Sequence, residues 1–318
     1  MFDLFISFFL LASAITANKI AVAYIDPLWF ATLRMGTAAI MLALISFVYA
    51  CLFHKETARQ FFGRFKTALR AHTTLIIFMS IAIMSIPPIC KAYALKHMLS
   101  AKVAAFGSID PFVTAIIAYI LWHEKLSIKK WLGITCALAG TTVLIISNSP
   151  LEKLMGSLCY FSYPELAMLA AVIIGRMGWI GAQFFMKKSI LSALELNSLL
   201  MTFGAFASGV WALTFSPNTI WTSCSSHLPF MLAFTYTVII GNIFAYTMYT
   251  AVLKHYSATL ISLTSLSVPL WVSLFGFVLL SEHPSWHFFT AIGLFALGLA
   301  LFYRLPGQQN TQSKGLSD

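Results

Sequence analysis

Three landmark residues recur in fixed order half a chain apart: Lys96, Pro111 and Glu124 are matched 158 residues later by Lys254, Pro269 and Glu282. Each copy runs fifteen residues from Lys to Pro and thirteen from Pro to Glu, and the triplet Leu95-Lys96-His97 returns as Leu253-Lys254-His255. Between Lys and Glu both copies are almost wholly apolar, long enough for one membrane crossing at about 20 residues per span. A repeat of half the chain length indicates a duplicated membrane fold, since solenoid repeats are far shorter.

Composition agrees. With 59% hydrophobic and 9% charged residues, the chain falls well below the roughly 25% charge of a soluble domain. The expected fold is an all-α polytopic membrane protein, with ten transmembrane helices in two inverted five-helix repeats. Apolar runs between polar breaks place the spans near 4–23, 28–50, 73–95, 102–122, 130–147, 164–186, 196–215, 229–252, 257–280 and 286–303. The halves are residues 1–147 and 164–305, joined by a linker at 148–163 and followed by a polar tail, 306–318, expected to be disordered. Five helices per half force the halves into opposite orientations. The first span could pass for a signal peptide, but Lys19 and Gly36 are matched by Lys187 and Gly204 with the same seventeen-residue gap, so it belongs to the repeat.

Basic residues orient the chain. With the N-terminus inside, thirteen Lys and Arg fall in cytoplasmic segments, and only Lys96, Lys102 and Lys153 fall outside. Both termini are therefore expected in the cytoplasm, with a bacterial inner membrane as the default location. The segment from His54 to His72 carries five of the thirteen interleaved with Phe61, Phe62 and Phe65. It reads as an amphipathic segment on anionic lipid rather than as a nucleic-acid site.

Ten spans in two halves, together with Lys19, Pro27 and Arg34, the run from Pro111 to Glu124 with Gly133 and Gly140, and Pro269 to Glu282 with Gly293 and Gly298, resemble the drug/metabolite transporter superfamily in its ten-helix EamA-type branch. The resemblance extends over residues 4 to 303. It implies a secondary transporter working by alternating access, with a central cavity lined by the third, fourth, eighth and ninth helices and with the first and sixth nearby. The substrates it implies are small metabolites such as amino acids, nucleosides and sugar derivatives.

Charges within spans are the candidate site residues, because each costs about 2.5–3.5 kcal/mol to insert at the bilayer centre. Asp110 precedes Pro111 in the fourth span, while the matching position in the other half is Val268, so the fold does not require a carboxylate there. It is a substrate contact, a proton carrier or the partner of a nearby basic residue. Arg176 in the sixth span shares a helix face with Glu165, Trp179 and Gln183, a stripe too polar for lipid. Arg176 is either an anion ligand or the partner of Asp110. Lys91 follows Pro87-Pro88 in the third span; the repeat places Tyr249 at its position, with Tyr246 and Asn242 on the same face. The Ser and Thr run at 262–267 suits either packing or a cavity wall. Glu124 and Glu282 occupy equivalent ends of oppositely directed helices and read as structural turn residues.

Other chemistry finds little support. No phosphate-binding Gly-x-x-x-x-Gly-Lys-Ser/Thr loop occurs, so ATP is not a direct fuel, and the five cysteines include no Cys-x-x-Cys pair. Cys159 and Cys224 fall in expected outer loops, which admits either a disulfide or two free thiols. A membrane enzyme acting on lipid or peptide is the alternative class, but every His lies in a loop or at a helix end. The expectation is thus a transporter with no cofactor, metal or nucleic-acid partner, taking an amino acid or another zwitterionic or anionic metabolite, with protons as a candidate coupling ion. The bias toward anions rests on four basic residues within spans, Lys19, Arg34, Lys91 and Arg176, against Asp110 and Glu165.

Overall fold

The structure is a computed structural model. It describes residues 2–303 apart from 54, 56, 123–126, 147–155, 159–160, 189–190, 219, 222–226, 253–263 and 266. Glu124, Lys254, Ser262, Cys159, Cys224 and the tail lie outside the described residues, so the expectations about them are not addressed by it.

The first half contains α1 (Phe2–Val22), α2 (Pro27–Phe53), α3 (Ala58–Met79), α4 (Ile86–His97), α5 (Ser100–Gly107), α6 (Asp110–Trp122) and α7 (Ile128–Ile146). The second contains α8 (Tyr163–Lys188), α9 (Ala193–Phe215), α10 (Leu228–Tyr236), α11 (Tyr246–Val252), α12 (Ser267–Leu280) and α13 (Trp286–Tyr303). Among the described residues, eight helical stretches are long and apolar enough to cross a bilayer, and two shorter apolar helices, Ser267–Leu280 and Trp286–Leu301, stand where the last two crossings are expected. Helices are what a lipid-embedded apolar run must form, because only they satisfy every backbone N–H and C=O within the segment. In the linker, two two-residue strands, β1 (Ser157–Leu158) and β2 (Phe161–Ser162), pair antiparallel.

Helix pairing follows the repeat. α2 packs on α9 and α7 on α13, so each joins its own counterpart in the other half; α1 meets α12 as α8 meets α6. Equivalent helices in mutual contact are what a two-fold axis between the halves requires. Along α2, Ile40, Leu44, Val48 and Leu52 recur every fourth residue and are exposed, forming a lipid-facing stripe. Met35, Ala38 and Leu42 face the other way, fully buried.

Two features depart from straight spans. π-helical segments, Ser80–Ser85 and Thr237–Ala245, interrupt the third and eighth crossings at matching positions of the two halves. In the first, Pro87 and Pro88 at the start of α4 lack the N–H groups that the carbonyls four residues earlier would accept, and the chain widens upstream. The second has no proline there. It coincides instead with Gly241, where a Cβ would sit 2.9 Å from the Cβ of Ala14 on α1. The neighbouring α9 comes equally close to the first π segment: a Cβ on Gly204 would lie 2.5 Å from the Cβ of Met84, so a larger residue would push the two apart.

The fourth span is broken rather than loosened. Helix α5 ends at Gly107, Ser108 and Ile109 turn, and α6 starts at Asp110 immediately before Pro111. The basic segment between His54 and His72 is mostly the first part of α3, begun by a capping box between Thr57 and Gln60 and kinked at His72. Phe61 is buried while Phe62 is exposed, the two-sidedness expected of an amphipathic segment.

Candidate functional site

A cavity of about 190 Å³ lies among the broken and π-containing helices. Its walls come from α1, α2, α4, α5, the start of α6, α8, the second π segment, α11 and the start of the ninth crossing. Irregular backbone at membrane depth is tolerated where it lines such a space. Of the eight residues singled out by sequence, Asp110, Lys91, Trp179, Asn242, Tyr246 and Tyr249 line it. Arg176 stands behind Asp110. Gln183, one turn beyond Trp179, is half-buried and is not part of the wall.

Asp110 owes its position to the break. As the first residue of α6 it places a carboxylate at a helix N-terminus, where unpaired N–H groups and the helix dipole favour negative charge. Its Oδ2 lies 2.8 Å from Nη2 of Arg176. Asp110 is thus paired to a basic partner, and its side chain lines the cavity with 34% exposure. Lys91 is exposed in the same wall.

The aromatic residues form a connected surface. The Trp179 indole stacks on the Tyr246 ring, with centroids 6.1 Å apart and planes 15° from parallel. It meets Tyr249 edge-on at 4.9 Å, and Tyr249 meets Phe8 edge-on at 5.9 Å. Such a surface offers a flat ring an aromatic face and offers a cation a negative quadrupole.

Four more polar residues complete the wall: Arg34, one of the basic residues placed within spans, Ser265 of the Ser and Thr run, and Asn18 and Thr237, which the sequence did not single out. Arg34 is buried; its Nη1 donates to Oδ1 of Asn18 at 3.0 Å, and its guanidinium lies 5.3 Å from the Phe30 ring centre. Asn242 Nδ2 donates to the Arg34 carbonyl oxygen at 3.2 Å.

Two of the ion pairs between the halves lie at the end of the bundle where α1 finishes and α8 begins. Glu282 accepts hydrogen bonds from the Ser100 N–H at 2.9 Å and from its hydroxyl, and lies 3.8 Å from Lys19 Nζ, which donates to the Met98 carbonyl. Glu282 therefore ties the ninth crossing to the first and fourth, beyond a turn role. Lys102, expected in an outer loop, is buried; its Nζ meets Oε1 of Glu165 at 2.8 Å. The other Glu165 oxygen accepts the Ser162 N–H at 2.8 Å, opening α8 with a capping box. Ser192 and Glu195 do the same for α9, and Glu195 also pairs with Arg64 at 2.7 Å. Both Ser-x-x-Glu signatures are visible in the sequence and mark these carboxylates as helix-starting groups.

Among the described residues, no group of His, Cys, Asp and Glu could hold a metal ion. Comparison with known proteins matches residues 1–146 and 164–304 to the model of the EamA-like transporter family. The chain is 24% identical over 307 residues, 95% of its length and 91% of the relative's, to a protein of Chlamydia muridarum named S-adenosylmethionine/S-adenosylhomocysteine transporter. It is 22% identical to a Bacillus subtilis protein named as the uncharacterized transporter YoaV, over 84% of this chain and 83% of that one. A solved crystal structure superposes with a TM-score of 0.60 at 16% identity, covering 94% of each chain, a likeness of fold. With the family model matching twice, once per half, and a cavity lined by both halves, the chain belongs to the EamA-like transporter family and is a multi-pass small-metabolite transporter rather than an enzyme.

Proposed function

We propose that this transporter carries an amino-acid zwitterion linked to a nucleoside, of the S-adenosylmethionine and S-adenosylhomocysteine kind, by alternating access through the central cavity. The observation that carries the reading is the coexistence, in one wall, of charges of both signs with a stacked aromatic surface. A purine has a flat face for Trp179 and Tyr246. A sulfonium or ammonium group suits the aromatic ring faces and the Asp110 carboxylate. A carboxylate suits the cationic residues. The Chlamydia relative, similar over nearly its whole length, supports the same substrate class. The ion pairs of Glu282 and Glu165 cross between the halves at one end of the cavity and are suited to serve as the contacts that close that end.

Uptake of radiolabelled S-adenosylmethionine into proteoliposomes, with exchange against internal S-adenosylhomocysteine, tests the reading. Saturable uptake that is accelerated by internal homocysteine derivative is expected; no uptake, with transport of unrelated metabolites intact, would refute it. The orientation proposed is a bacterial inner membrane with both termini in the cytoplasm, following the basic-residue bias. A C-terminal reporter active only on the outer face would reverse it.

A further inference from the structure

The cations embedded in the fold differ in one respect. Arg176 has Asp110, Lys19 has Glu282 and Lys102 has Glu165, whereas among the described residues no carboxylate lies within ion-pairing distance of the exposed Lys91 or of the buried Arg34. Arg34 is only 6% exposed and lines the cavity, and its Nε is buried without a hydrogen-bond partner. Two neighbours in the same wall are also incomplete: the Thr237 hydroxyl and the Asn242 Oδ1 are buried and unpartnered. The bond from Asn242 Nδ2 to the Arg34 carbonyl fixes which way that amide points, so the free atom is an acceptor. Buried polar groups are normally satisfied, and leaving several unmet in one wall is costly unless a ligand completes them.

We propose that Arg34, Thr237 and Asn242 form an amino-acid head-group subsite, in which the Arg34 guanidinium and Thr237 hydroxyl receive a substrate α-carboxylate and Asn242 Oδ1 receives its α-ammonium. Donors and acceptor match the head group in kind: two donors for the anion, one acceptor for the cation. Asn18, held on Nη1, and the Phe30 ring keep the guanidinium in place while Nε remains available. Asp110 and the aromatic surface then serve the rest of the molecule. This subsite rests on the reading of the cavity as the place of an adenosyl amino acid, but it is specific to the amino-acid end.

The test compares S-adenosylhomocysteine with its decarboxylated amine as competitors of labelled S-adenosylmethionine uptake. The wild-type protein should prefer the carboxylate form by about tenfold or more, the equivalent of 1.4 kcal/mol. In Arg34→Gln, whose own uptake of the labelled substrate should fall, the comparison is made by thermal shift, and the two compounds should stabilise the variant about equally. Arg34→Lys, which retains the charge without the planar fork, should keep part of the preference and serves if the Gln variant does not fold. Equal competition by both compounds in the wild type would overturn the subsite, as would an equal loss for both in the variants, the mark of a merely structural arginine. If neither adenosyl compound competes, the adenosyl reading fails, and the subsite is judged by thermal shift with methionine against its decarboxylated amine: stabilisation by methionine alone supports it, and equal responses refute it.

Discussion

Asp110→Asn will reduce transport by about tenfold or more while leaving the protein folded and inserted, a loss of at least 1.4 kcal/mol in stabilising the transported species. The side chain keeps its size, but the cavity loses its carboxylate and Arg176 loses the partner 2.8 Å away. An exposed ion pair contributes about 0–1 kcal/mol, and stripping one partner from a fully buried pair costs about 3–5 kcal/mol. This pair is between those limits, with 34% exposure on Asp110 and 17% on Arg176. A stability loss of about 1–3 kcal/mol is therefore expected, smaller than unfolding requires. Melting temperature and uptake should be measured on the same preparations, with Asp110→Asn/Arg176→Gln alongside. The double variant should regain stability, since the stranded cation is gone, yet remain inactive. Wild-type uptake by Asp110→Asn would remove the residue from the site, and recovered uptake in the double variant would reduce the pair to a structural one.

The largest loss of stability is expected from Lys102→Met. Lys102 and Glu165 have side-chain exposures of 5% and 0%, and their 2.8 Å contact joins α5 of the first half to α8 of the second. Methionine fills much of the space of the lysine stem, so packing changes little. What changes is that Glu165 keeps a buried charge with the Ser162 N–H as its remaining short polar contact among the hydrogen bonds and ion pairs described above. Removing one partner of such a pair costs about 3–5 kcal/mol, a large part of a typical folding free energy. Thermal denaturation in detergent should show a strongly lowered midpoint. Adding Glu165→Gln should restore most of it, because an amide can still accept the Ser162 N–H without carrying charge. A single variant as stable as the wild type would show that water reaches the carboxylate.

The comparison between sequence and structure turns on particular residues. The repeat of Lys, Pro and Glu, the ten apolar runs and the odd number of helices per half were all legible, because lipid permits a long apolar segment almost no conformation but a helix. The inward direction of Asp110, Arg176 and Trp179 was legible too: charge depth and the 3.6-residue period suffice to assign a face. Gln183 shows where that argument ends, since sharing a face at plus seven does not bring a residue to the same depth as the cavity.

Three things were decided only by the tertiary structure. The π segment at Thr237–Ala245 goes with close approach to a neighbouring helix and has no proline to announce it, unlike Ser80–Ser85, which precedes Pro87 and Pro88. The choice of partners was equally hidden: Asp110 could have met Lys91 or Arg176, and Lys102 could have remained in a loop, until the packing of α6 on α8 and of α5 on α8 brought particular atoms within 2.8 Å. Arg34 shows the same limit from the other side. Its charge and depth were plain in the sequence, but the unmet Nε is a property of its neighbours. A sequence lists donors and acceptors along one dimension, and whether each is satisfied depends on groups that only folding brings within hydrogen-bond reach.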